Sequence, residues 1–154
     1  MTKTEIEHAL AECAAQVLER MFFVCIHREN EPTASEVDSE WICEVGFAGE
    51  PSGHLGLGIG HKAASLIAAD FLGEDQASLS GLQVGQVVCE LANMVCGAVL
   101  SRIESGTTFR LDSPRLLPAW RSSGADAAVR LVIPEAGILN VIFSAERPVC
   151  PMSA

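Results

Sequence analysis

Apolar positions near the start of the chain fall three and four apart, at Ile6, Ala9, Leu10, Cys13, Val17, Met21 and Val24. That spacing draws one stripe along an α-helix and predicts a helix over 4–25, with Thr4 as N-cap and Glu7 at the capping-box position. The period then vanishes. Residues 27–40 hold Glu29, Glu31, Glu36, Asp38 and Glu40 beside Pro32, the pattern of a solvated acidic loop. Two strand-like runs follow, 41–47 and 54–59, joined by the turn-rich 48–53 into a hairpin. Helical spacing returns over 61–72 through Ala64, Leu66, Ile67, Ala68 and Phe71, and Gly73 is placed to close that helix in a left-handed cap. After a polar stretch, 82–104 is helical again and Gly106 marks its stop. Three more strands are expected over 107–111, 127–133 and 138–144, split by turns such as Pro134-Glu135-Ala136-Gly137. Strands in this order cannot all be linked by parallel crossovers, so the expected fold is α+β, helices packed on a largely antiparallel sheet. With 154 residues and no linker or repeat, residues 1–154 are expected to form a single domain.

The third helix has an unusual polar face. At 100° per residue, Gln86, Glu90, Asn93, Gly97, Ser101 and Glu104 share a stripe about 80° wide, opposite Val87, Val88, Leu91, Met94, Val95 and Ala98. Glu90 and Asn93 are therefore expected to project together into solvent, one turn apart. Any amphipathic helix turns polar groups outward, but two of these are poor choices for a helix. Asn prefers caps and turns, and an internal Gly costs about 1 kcal/mol relative to Ala. Gly97 either leaves room for another surface or permits close packing within the fold.

Composition removes several functions. Twenty carboxylates against ten Lys and Arg give a formal charge of -10, which would repel nucleic acid and anionic membrane surfaces. No cluster of basic residues could cradle a free phosphorylated metabolite. Apolar runs are broken before the roughly 18 to 20 residues that a membrane span needs, so no span is expected. The N-terminal Met-Thr-Lys-Thr-Glu leads straight into an amphipathic pattern rather than a secretory signal, and a cytoplasmic location is expected. Six cysteines form no CxxC pair and are read as small apolar residues, with Cys89 and Cys96 on one flank of the third helix. No metal site is expected, and His54 and His61 lack the close helical pairing of zinc ligands. Gly56, Gly58 and Gly60 alternate within a strand without a following GK[ST], unlike a phosphate loop.

The run Gly49-Glu50-Pro51-Ser52-Gly53-His54-Leu55-Gly56-Leu57-Gly58-Ile59, an Ala-rich helix, and then Glu90-Leu91-Ala92-Asn93-Met94-Val95-Cys96-Gly97 together resemble the CheC/CheX/FliY family of chemotaxis phosphatases. The family signature is Glu-x-x-Asn on a helix. The likeness is good over 49–118 and looser over the first helix and final strands. A single copy of the motif places the resemblance nearest the single-site CheX branch. One departure is Gln86, where the family often has Asp or Ser four residues before the Glu.

The resemblance implies hydrolysis of the aspartyl phosphate on a CheY-like response-regulator receiver, with Asn93 and Glu90 catalytic and Glu90, Gln86 and Gly97 meeting the partner. It also implies that the receiver brings Mg²⁺ and a lysine for Glu90, so this chain binds no cofactor, and that the chain is a homodimer. The dimer has a second argument, since an apolar strand over 138–143 would be hazardous as a bare edge. Two other readings stand beside this one: a non-catalytic module that sequesters a receiver, and, with less behind it, a metal or thiol enzyme built on His54, His61 and the cysteines.

Overall fold

The computed structural model describes residues 2–26, 39–103, 106, 108–120 and 125–146. Strand β1 (Trp41–Ala48) turns back into β2 (Ser52–Ile59) in the expected hairpin. Successive side chains on a strand point to opposite faces, so Cys43, Val45 and Phe47 of β1 share one face with Leu55, Leu57 and Ile59 of β2. All six are buried. The same face continues across β6 (Gly137–Glu146) and β5 (Ala127–Ile133) through Leu139, Val141, Phe143, Ala127, Leu131 and Ile133. Each fully buried Leu, Ile or Phe contributes about 1.5 to 3 kcal/mol, and this face is the floor of the core.

Among the described residues, three helices cover it. Helix α1 (Lys3–Met21) lies over β5, α2 (His61–Leu72) comes next, and α3 (Gly81–Ile103) crosses β1 between the other two. Gly73 caps α2 at φ 68°, as its position predicts. The polar stretch after it contains one 3-10 turn, Gln76–Ser78. All strand pairs are antiparallel, in the order β3-β1-β2-β6-β5, with β3 (Arg110–Leu111) and β4 (Arg115–Leu117) both on the outer side of β1. This is the expected α+β layer of helices on an antiparallel sheet.

Several sequence expectations need correction. The cap of α1 is Thr2, whose side chain accepts from the Glu5 N–H, rather than Thr4 with Glu7. Glu7 instead accepts the Ala128 N–H at 3.1 Å and so satisfies a donor of strand β5. The helix stops at Met21, four residues before the expected end, because Phe23 turns left-handed at φ 59° and both Phe22 and Val24 donate to the Leu18 carbonyl. Strand β6 lies between β2 and β5, so the 138–143 run is no bare edge and that argument for a dimer falls. The strand expected over 107–111 keeps only Arg110–Leu111, Thr107 lying outside the described residues, and β4 is additional. The acidic loop falls outside the described residues except for Ser39 and Glu40. By length and composition α3 could cross a membrane, contrary to expectation. It is apolar because it packs against the sheet and both other helices, with ten residues buried.

The outer face of the sheet explains the glycine alternation in β2. The indole of Trp120 lies across it, and a Cβ on Gly58 would stand 2.2 Å from Trp120 Cζ2 while one on Gly56 would stand 3.0 Å from Cζ3. These glycines admit a tryptophan rather than a phosphate. Nearby, buried Glu44 pairs with Arg115 across the β1–β4 register at 3.0 Å and approaches His54 at 3.8 Å, which ties the short β4 to the sheet. Gly58→Ala is expected to lower stability by about 1 to 3 kcal/mol, the usual cost of overpacking, and to shift the tryptophan emission toward the red as Trp120 lifts. Urea denaturation followed by fluorescence measures both; an unchanged midpoint would rule out this packing.

Candidate functional site

Helix α3 begins at a reciprocal cap that the hydrophobic pattern does not reveal. Ser80 Oγ accepts from the Gln83 N–H at 3.1 Å, and Gln83 Oε1 accepts from the Ser80 N–H at 2.8 Å, which satisfies two otherwise orphan donors. The first turns then lie tight on the sheet. A Cβ on Gly85 would stand 3.1 Å from both Leu116 Cδ1 and Trp41 Cζ3, so glycine sets the depth at which the helix sits. Trp41 is itself oriented by its Nε1–H, which donates to His61 Nδ1 at 3.3 Å.

Val84, Val87, Val88, Leu91, Val95 and Val99 face the core, and the opposite stripe is open. Gln86, Glu90 and Ser101 are exposed, while Asn93 and Gly97 are half-buried. Glu90 therefore reaches solvent as expected, but Asn93 is set deeper, on the wall of a groove. Glu104, expected at the end of the stripe, lies outside the described residues. The groove holds about 280 Å³ between Gly81, Leu82, Gly85, Gln86, Cys89, Glu90 and Asn93 on α3 and Pro114 and Leu116 on the other side. Leu82, 73% exposed, and Leu116, 45% exposed, add apolar surface to its two walls.

Gln86, Glu90 and Asn93 thus meet on one wall, and Gly97 lies one turn beyond. Among the described residues, a Cβ on Gly97 would meet only Leu111 Cδ1, at an ordinary 3.9 Å. Close packing inside the fold does not require that glycine, whereas it does require Gly85. Among the described residues, neither the Glu90 carboxylate nor the Asn93 amide is engaged by another side chain of this chain. An anionic acceptor and an amide with both donor and acceptor capacity are presented together, within reach of an incoming surface.

The groove's second wall was not visible in the sequence. Pro114 and Leu116 belong to the β3–β4 segment, too short to show a period; the one signal was a pair of leucines, Leu116 and Leu117, bracketed by Pro114 and Pro118. The histidines do not converge. His54 pairs with Glu44 on the outer face, whereas His61 takes the Trp41 N–H and lies 3.4 Å from Ser65 Oγ at the start of α2. Among the described residues no group of three His, Cys, Asp or Glu side chains is arranged to hold a metal ion. Of the described cysteines, Cys13, Cys43 and Cys96 are buried, Cys89 is half-buried and Cys25 is exposed. Cys89 meets Cys43 of β1, and burial pushes the Cys96 thiol up to about 12.

A family model described as chemotaxis phosphatase CheX matches residues 41–120, which span the hairpin, α2, α3 and the β3–β4 wall of the groove. The chain belongs to the CheX family. No curated protein sequence matches it significantly. CheX structures are similar throughout: that from Vibrio vulnificus is 19% identical with a TM-score of 0.74, over 95% of this chain and 99% of that one. CheX from Desulfovibrio desulfuricans is 18% identical with a TM-score of 0.72, over 92% and 99%. CheX from Borrelia burgdorferi, solved in a complex with CheY, BeF3 and Mg²⁺, is 18% identical with a TM-score of 0.69, over 92% and 97%. At these identities the CheX structures establish the fold, with its antiparallel sheet and covering helices.

Proposed function

We propose that this chain accelerates hydrolysis of the aspartyl phosphate on a CheY-like receiver domain, with the open stripe of α3 as the surface that meets the phosphoryl group. The observation that carries the reading is the pair Glu90 and Asn93, one turn apart on the groove wall and, among the described residues, engaged by no other side chain. Membership of the CheX family and the existence of a CheX complex with CheY support a receiver as the partner.

Hydrolysis of an acyl phosphate needs a water aligned behind the phosphorus, and positioning with electrostatics supplies most of the available catalysis. Asn93 is no general base, yet its carbonyl oxygen can accept a hydrogen bond from the attacking water while its NH2 donates to a phosphoryl oxygen. Glu90 is repelled by the phosphoryl group and pairs instead with a lysine of the receiver. Gln86 and Gly97, one turn before Glu90 and one turn after Asn93, contact the partner on either side. The receiver contributes the Mg²⁺, so a chain of charge -10 needs no basic cradle of its own. The encounter takes place in the cytoplasm. Gln86, where Asp or Ser is frequent in the family, favours one second reading: a receiver-binding module that docks through the same stripe and sequesters its partner without turnover.

Asn93→Ala is expected to slow receiver dephosphorylation by roughly 10² to 10³, as for loss of one transition-state donor, with receiver affinity within a few-fold of wild type. Glu90→Ala is expected to act mainly on affinity, by about 2 kcal/mol or more for a partly buried intermolecular ion pair. Phosphate-release kinetics and titration calorimetry separate the two effects. Full activity in Asn93→Ala would refute its role, and binding without turnover by the wild type would leave the sequestering module.

A homodimer belongs to the same reading, now resting on the CheX resemblance and on β5, the end strand of the sheet among the described residues, as the edge a second copy could join. Light scattering at micromolar concentration should give twice the 16.3 kDa chain mass; a monomer alone would exclude it.

A further inference from the structure

Two thiols lie directly behind the α3 stripe, and the chemistry above uses neither. Cys43 is fully buried on the inner face of β1, and its Sγ–H donates to Cys89 Sγ at 3.5 Å. Cys89 immediately precedes Glu90, is half-buried, and lines the groove. Forty-six positions separate the two in sequence, and they meet because α3 crosses β1 at this point. The pair is also polarised. The hydrogen bond from Cys43 lowers the Cys89 thiol below its ordinary range, while that same bond and burial raise Cys43. Cys89, on the groove side, thus has a second thiol in contact behind it, the arrangement in which oxidation to a disulfide is reversible.

We propose that Cys89 is an oxidation site with Cys43 as its resolving thiol, so that hydrogen peroxide converts the pair into a disulfide joining α3 to β1 behind Glu90. The Cys89 thiolate attacks one peroxide oxygen, the O–O bond breaks, and the departing oxygen takes a proton and leaves as water. Cys89 is then a sulfenic acid. The Cys43 sulfur, losing its proton, attacks Cys89 Sγ; the S–S bond forms as the S–O bond breaks, and the hydroxyl leaves as a second water. The peroxide gains two electrons and the two thiols lose them. The sulfurs close from 3.5 Å to about 2.05 Å, a movement shared between the two side chains and the α3 backbone. A consequence for turnover rests on the receiver-phosphatase reading: Glu90 and Asn93 shift with Cys89, and a displacement of about 1 Å can cost roughly 10² in rate. The disulfide itself does not depend on that reading.

The test exposes the full-length folded chain to hydrogen peroxide, denatures it, alkylates the remaining thiols and maps its peptides by mass. The expected product is a linked Cys43–Cys89 peptide, lighter than its two parent peptides by two hydrogens and reversed by dithiothreitol, with Cys13 and Cys96 alkylated in full. In Cys43→Ser the link disappears and Cys89 accumulates as a sulfenic acid trapped by dimedone. If that variant does not fold, the wild-type map still decides: absence of the linked peptide under peroxide that oxidises exposed Cys25 would overturn the proposal. A disulfide formed in a chain whose reduced form dephosphorylates no receiver would uphold the thiol pair and refute only the receiver-phosphatase reading.

Discussion

The structure depends on one packing constraint: α3 must be apolar on nearly every side to fill the space over β1 between α1 and α2. A helix enclosed that far has one narrow strip left for polar groups, and in this chain Gln86, Glu90 and Asn93 occupy it. The depth of the helix is set by Gly85 against Trp41 and Leu116, and Leu116 is held in turn by the pairing of β4 to β1 through Glu44 and Arg115. Rigid elements therefore fix the groove on both sides. A water-positioning amide must hold its geometry to a fraction of an ångström, and a core helix seated on a sheet can provide that where a loop could not.

Charge decides how labour is divided in the proposed reaction. A phosphatase that bound its phosphate directly would need cations at the site, and the nine described residues around this groove include no Lys or Arg. A carboxylate and an amide are useful only against a partner that carries its own metal and lysine. The net charge of -10 is compatible with the proposed arrangement, in which Glu90 would meet a cation on the receiver. The same helix also carries Cys89 into contact with Cys43, so the element that presents the polar stripe is the one a disulfide would tether.

The sequence was most informative where one face of an element is buried. The hairpin, α2 with its Gly73 cap, and the interior of α3 follow from alternation or three-four spacing, because burial enforces those periods. It was least informative where tertiary partners decide. Thr2 and Thr4 are equally plausible caps until the backbone shows which one meets a free N–H. Strand β4 is three residues long and exists because β1 has an open edge. The 138–143 run looks the same in sequence whether central or at an edge, since strand order is not a local property. Within the site, Glu90 and Asn93 were legible from helical geometry together with the family resemblance. The deeper setting of Asn93, the wall formed by Pro114 and Leu116, and the Cys43–Cys89 contact all required the fold, because each joins segments far apart in the chain.

The proposed function requires that α3 present Glu90 and Asn93 to a receiver's phosphoryl group and hasten its loss. The most direct measurement mixes catalytic amounts of the purified chain with a panel of receivers phosphorylated in the presence of Mg²⁺ and follows aspartyl phosphate over time. At least one receiver should lose phosphate many-fold faster than its spontaneous rate, with multiple turnovers per chain and no effect once EDTA removes the metal. Spontaneous rates for every receiver in the panel, including any that binds the chain, would contradict the proposed phosphatase function.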